Sequence, residues 1–107
     1  MANEIIVLVT CPASESEKLA KALVEERLAA CVNVLPGVRS IYLWEGKLCN
    51  ELEELLVVKS TGATWIKLRD RVKELHSYDV PEIISLPITD GHKPYLDWLT
   101  AAVRAGT

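Results

Sequence analysis

An α+β sandwich is the fold class this sequence predicts: extended and helical segments follow in the order β-α-β, β-α-β, with one further helix at the end. Three observations carry that expectation. Apolar runs rich in β-branched residues alternate with segments whose apolar positions recur at steps of three and four. The two halves echo each other, with Thr10 and Ser60 closing strands about fifty residues apart and Leu35-Pro36 recurring as Leu86-Pro87. A Glu45-Gly46 pair joins two extended runs directly, as a two-residue hairpin loop does. Two split βαβ units joined by a hairpin give one antiparallel sheet with both crossover helices on one face, the ferredoxin-like βαββαβ sandwich.

Residues 5–10 are nearly all apolar, as in a central strand, and Cys11-Pro12 breaks them. Ser14 and Glu17 have capping-box spacing, which predicts a helix running to about residue 30. Its stripe is Leu19, Ala20, Leu23, Val24 and Leu28. Residues 31–44 are extended but interrupted by Pro36-Gly37. Proline cannot donate to a ladder, so a bulge and an edge strand are expected there. Residues 47–60 form the returning arm, with Trp44 opposite Lys47, Tyr42 opposite Cys49 and Ser40 opposite Glu51.

A second helix is expected over residues 63–76, with Trp65, Leu68, Val72 and Leu75 on one face. Pro81 closes the next loop, residues 82–88 read as a strand, and Asp90-Gly91 as a turn. Pro94 suits the first turn of a last helix bearing Leu96, Leu99 and Val103. No linker divides residues 1–107, which read as one domain.

Half of the 107 residues are hydrophobic and a quarter charged, the balance of a chain that buries one core rather than staying disordered. The net charge of -3 and the lack of any basic run argue against nucleic acid as a partner. No run reaches the roughly 18 apolar residues of a membrane span. The N-terminus lacks a basic, signal-like region, so the cytosol is the expected compartment. Cys11, Cys31 and Cys49 are odd in number and form no CxxC, which points to small buried hydrophobes rather than disulfides or a zinc site.

One face does not suit a lone monomer. Tyr42, Trp44, Leu55 and Val57 share the side of the hairpin opposite the helices, where polar residues are expected. An apolar edge of this kind needs a cover, and a self-association surface is the expectation.

Three strings stand out: Glu26-Arg27-Leu28-Ala29-Ala30-Cys31-Val32-Asn33, Trp44-Glu45-Gly46-Lys47 and His76-Ser77-Tyr78-Asp79-Val80-Pro81-Glu82. With Tyr95-Leu96-Asp97-Trp98-Leu99 they closely resemble the CutA family of divalent-cation tolerance proteins, over residues 5–99 and in the same order. The resemblance implies a homotrimer in which long hairpins pair between subunits. It also implies a role in tolerance of copper and other divalent metals, without an established enzymatic activity. Copper ligands attributed to some members are a cysteine before the first turn and a histidine pair. Here Val9 and Leu75-His76 stand at those places, so His76 alone matches.

The candidate residues each admit two readings. His76 ends a helix, where a ring cation would favour the dipole, or ligates a divalent cation such as copper or zinc with Asp79 and Glu82. Glu51, Glu53 and Glu54 line a solvated edge or form intersubunit ion pairs, or else bind metal. Trp44, Tyr78 and Trp98 are core or interface aromatics, or they line an intersubunit cleft with Glu45, Lys59 and Glu82 for a metal ion or a small anion.

The functional expectation is a non-enzymatic homotrimer of divalent metal tolerance, with a PII-like small-ligand signalling trimer as the alternative. A phosphatase is disfavoured because the loop 11–17 has no Arg to cradle phosphate. Cys11, ahead of a helix, has the best claim as a nucleophile, and Glu15 and Glu17 oppose its thiolate.

Overall fold

The computed structural model describes residues 3–103. β1 (Glu4–Cys11), α1 (Ala13–Glu25), β2 (Cys31–Trp44), β3 (Lys47–Thr61), α2 (Trp65–Leu75), β4 (Ile83–Pro87) and α3 (Lys93–Ala102) follow in order, with a single 3₁₀ turn at Gly62–Thr64 before α2. The sheet order is β2-β3-β1-β4 and each neighbouring pair is antiparallel. The fold is the ferredoxin-like sandwich that the sequence predicts, with α3 as the extra element.

Alternation along the strands decides the layers. Ile5, Val7, Val9 and Cys11 of β1 and Leu56 and Val58 of β3 face one side, where Leu19 and Leu23 of α1 and Leu68 and Val72 of α2 complete the core. Trp65 and Leu75 pack at its margin, as their spacing predicts, whereas Val24 is exposed. The α3 helix contacts β1 and β3, and its Leu99 is fully buried outside that cluster.

Both ends of α1 differ from expectation. Ser14 and Glu17 make no capping box. Pro12, with φ -61, is the N-cap, and Glu17 pairs instead with Lys21 at 2.7 Å. Proline's fixed φ starts the helix without a side-chain cap. The helix stops at Glu25 rather than near residue 30, because Arg27 adopts φ 59. The Arg27 N–H then donates to the Val24 carbonyl and the Leu28 N–H to the Leu23 carbonyl, a Schellman closure with buried Leu23 and Leu28 adjoining. Arginine in the usual glycine place hid this stop. Its guanidinium, at Nε and Nη2, donates to the carbonyls of Ala102 and Ala101, each at 3.3 Å, and so ties the end of α1 to the end of α3.

The hairpin follows expectation closely. The β2–β3 register shifts between Leu35 and Val38, where Pro36-Gly37 stands, and β2 is an edge strand. Trp44 pairs with Lys47, Tyr42 with Cys49 and Ser40 with Glu51. Glu45 at φ 50 and Gly46 at φ 78 form a turn with both central residues left-handed, the type whose twist matches the flanking strands.

Length decides what this hairpin does. The β1 ladder ends with Cys11 opposite Glu54, so residues 38–53 run on as a two-stranded ribbon with no third strand among the described residues. The ribbon projects roughly 20 Å at strand rise and stretches the molecule to 44 × 25 × 22 Å. Both of its faces carry large apolar side chains, one of them mixed with carboxylates. Tyr42 and Trp44 lie on one, and Leu43, Leu48 and Leu52, each at least 70% exposed, on the other. The second of these faces goes beyond the surface expected from the sequence.

Candidate functional site

Thr10 is the penultimate residue of β1 and His76 caps α2, which brings both beside the root of the ribbon. His76 is buried, and its Nε2 lies 2.8 Å from the Thr10 carbonyl oxygen. The Tyr78 N–H donates to His76 Nδ1 at 3.1 Å. A carbonyl oxygen only accepts, so Nε2 carries the proton and both ring nitrogens are engaged. The Tyr78 ring packs on the imidazole with centroids 4.7 Å apart, and its hydroxyl donates to Glu53 Oε2 at 2.8 Å. Ser77 is held from the other side, its N–H and hydroxyl both donating to the Glu15 carboxylate of α1.

These contacts fix the loop between α2 and β4 against the ribbon and leave a cleft of about 790 Å³ between them. Tyr42, Trp44 and Tyr78 provide its aromatic walls. Glu51 and Glu53 line it from β3, and Asp79 and Glu82 from the loop. No Lys, Arg or His lines it among the described residues. The charge shows in neighbouring groups. Burial, then the hydrogen bond to Glu53 and the Glu53 and Glu51 charges, push the Tyr78 hydroxyl well above the usual phenol range. Burial and then Glu51 raise that of Tyr42.

The expected site residues are only partly brought together. Trp44 and Tyr78 meet in the cleft, joined by Asp79 and Glu82. Glu45 sits in the exposed turn and does not line it. Lys59 is at the far end of β3, its ammonium donating to Asn33 Oδ1. Trp98 lies on α3 against Tyr95, with ring centroids 5.6 Å apart. Among the described residues, therefore, no basic group that would suit a small anion lines the cleft.

His76, Asp79 and Glu82 do not fit a divalent-cation centre within the chain. The imidazole has no free lone pair, and no three His, Cys, Asp or Glu side chains converge to hold a metal among the described residues. The three cysteines are free: Cys11 is buried, Cys31 and Cys49 half-buried. Burial, then the charges of Glu15, Glu54 and Glu53, push the Cys11 thiol up to about 11, so at neutral pH it is a packed thiol and not a nucleophile.

Residues 5–102 match the family model described as CutA1 divalent ion tolerance protein. The chain belongs to this family. It is 56% identical over 97 residues to the divalent-cation tolerance protein CutA of Thermus thermophilus, covering 90% of this chain and 94% of that one. The solved structure of a divalent cation tolerance protein (Cut A1) from Thermus thermophilus superposes with a TM-score of 0.91 at 53% identity, over 94% of this chain and 99% of that one. The structure described as the PII-like protein CutA from Nostoc sp. PCC 7120 superposes with a TM-score of 0.90 at 34% identity, over 94% and 98% of the two chains.

The residue that sequence reasoning undervalues is Glu53. Its neighbours on the strand suggest a solvated edge or an ion pair, yet it is 5% exposed and anchors Tyr78. The register carries the signal. With Tyr42 opposite Cys49, the odd residues Glu51 and Glu53 share the aromatic face. The link from Thr10 through His76 and Tyr78 to Glu53 has no local signal, because it joins residues far apart in the chain.

Proposed function

We propose that this CutA1-family protein is a non-enzymatic homotrimer that contributes to divalent metal tolerance and takes a small ligand in clefts at its subunit contacts. The observation that carries this reading is the ribbon of residues 38–53, unsupported by a third strand among the described residues, with Leu43, Leu48 and Leu52 exposed on one face and Tyr42 and Trp44 on the other. A two-stranded ribbon is at best marginally stable alone in water, and such a surface on a soluble chain marks an interface. Tyr42 and Trp44 belong to the ribbon and to the cleft alike, so assembly and the ligand site share residues.

Sedimentation equilibrium at micromolar concentration tests the assembly. The expected mass is about 36 kDa, three chains of 11.9 kDa. Leu48→Asp, which sets a charge on the uncovered face, is expected to dissociate it. A parent protein that sediments as a monomer overturns the reading.

A second reading, PII-like small-ligand signalling, is favoured by the likeness to the PII-like Nostoc structure. The Glu45-Gly46 turn supplies no long effector loop, so a signal on this scaffold would pass through the cleft. Growth under copper or zinc challenge separates the two, since loss of a tolerance protein sensitises the cell to the metal and loss of a small-ligand signalling protein does not.

A further inference from the structure

We infer that the cleft between the ribbon and the Tyr78–Glu82 loop is a site for a small organic ammonium cation, with Glu53 as its buried counter-charge and Tyr42, Trp44 and Tyr78 as its aromatic walls. This deepens the ligand-binding reading of the cleft and rests on it.

Glu53 carries the argument. It is 5% exposed, and its Oε2 accepts the Tyr78 hydroxyl. Its Oε1 takes no hydrogen bond from any described residue, and no cation of the described chain pairs with it. Yet no fully buried side-chain oxygen among the described residues lacks a partner, so Oε1 reaches accessible space. The accessible space that Glu53 lines is the cleft. A carboxylate held this far out of water with one donor is stabilised by a positive charge brought to its open side.

The chemistry of the walls selects the kind of cation. Aromatic faces attract ammonium groups through the ring quadrupole, the more strongly when the site is desolvated. They do not ligate a bare divalent ion, which needs several donors converging on one point. Here Glu51, Glu53, Asp79 and Glu82 surround the space instead of converging. A volume of about 790 Å³ is in the range of small-molecule sites and far larger than an ion. The same negative field disfavours anions.

The test uses the assembled protein, titrated with choline and with its neutral carbon isostere, dimethylbutanol. Calorimetry and tryptophan emission report binding, and sedimentation is run on the same samples. Choline is expected to saturate the site and to quench Trp44, with the isostere about tenfold weaker or more. Glu53→Gln, which keeps an acceptor for Tyr78, is expected to weaken choline about tenfold at unchanged sedimented mass, and Trp44→Leu, which keeps the ribbon apolar, to weaken it as much. Trp98→Leu, on α3, is expected to change nothing. Equal affinity for choline and dimethylbutanol overturns the proposal, and so does a trimer that binds neither because a partner subunit's cation already meets Glu53. Zinc that binds and displaces choline through Glu53 also overturns it. Choline binding to a protein that sediments as a monomer supports the cleft proposal while the trimer reading fails.

Discussion

Replacing Tyr78 by Phe removes one oxygen and tests the contact that joins the α2–β4 loop to the ribbon. The hydroxyl donates to Glu53 Oε2 at 2.8 Å, and Glu53 is 5% exposed, so water does not readily take its place. Hydrogen bonds to charged groups contribute about 1.5–3 kcal/mol, and leaving a buried carboxylate without its donor lies toward the upper part of that range. Tyr78→Phe is therefore expected to cost about 2.5 kcal/mol in urea unfolding at fixed protein concentration. In a double-mutant cycle, Glu53→Gln with Tyr78→Phe is expected to return a coupling of about 1 kcal/mol or more. The pH dependence gives a second arm. The Tyr78 hydroxyl is held above its ordinary value of 10.0, so the unfolded chain releases this proton first. Its contribution is complete below pH 10 and is lost as pH rises from there toward the folded value. The parent protein should thus lose stability above pH 10 more steeply than Tyr78→Phe. A cost below about 0.5 kcal/mol, or superimposable alkaline profiles, refutes the reasoning.

Three further outcomes follow from the same geometry. Cys11, raised from 9.0 to about 11, should alkylate at pH 8 about a hundredfold more slowly than an ordinary thiol, and its stabilising contribution should fade between pH 9 and pH 11; an iodoacetamide time course that modifies Cys11 as fast as Cys49 contradicts this. Arg27→Ala keeps the left-handed backbone and drops both carbonyl contacts, so it should destabilise by about 1 kcal/mol, while Arg27→Gly should be about 1 kcal/mol more stable than the alanine variant by denaturant melts. His76→Ala should cost about 2–3 kcal/mol by releasing Thr10 and Tyr78, yet leave copper or zinc affinity within about threefold of the parent in calorimetry; a tenfold loss would restore His76 as a ligand.

The elements and their register are written locally. The apolar β-branched run over residues 5–10, the steps of three and four around Leu68 and Val72, the Pro36-Gly37 interruption and the Glu45-Gly46 turn each act within a few residues. That is why the strand pairing of Tyr42 with Cys49 and the bulge are legible without coordinates. The family motifs, matched over residues 5–102, are legible for the same reason. Tertiary structure decided what local pattern cannot encode. The tie between the end of α1 and the end of α3 depends on Arg27 finding the carbonyls of Ala101 and Ala102, about seventy-five residues away. The length of unsupported ribbon depends on where β1 ends against Glu54. His76 became a structural pin rather than an open ligand because Thr10 lies over its Nε2. Glu53 became the buried charge of a cleft because Tyr78, brought round from the end of α2, covers one of its oxygens and leaves the other open. A carboxylate's meaning depends on its solvation and partners, and both come from segments distant in the chain.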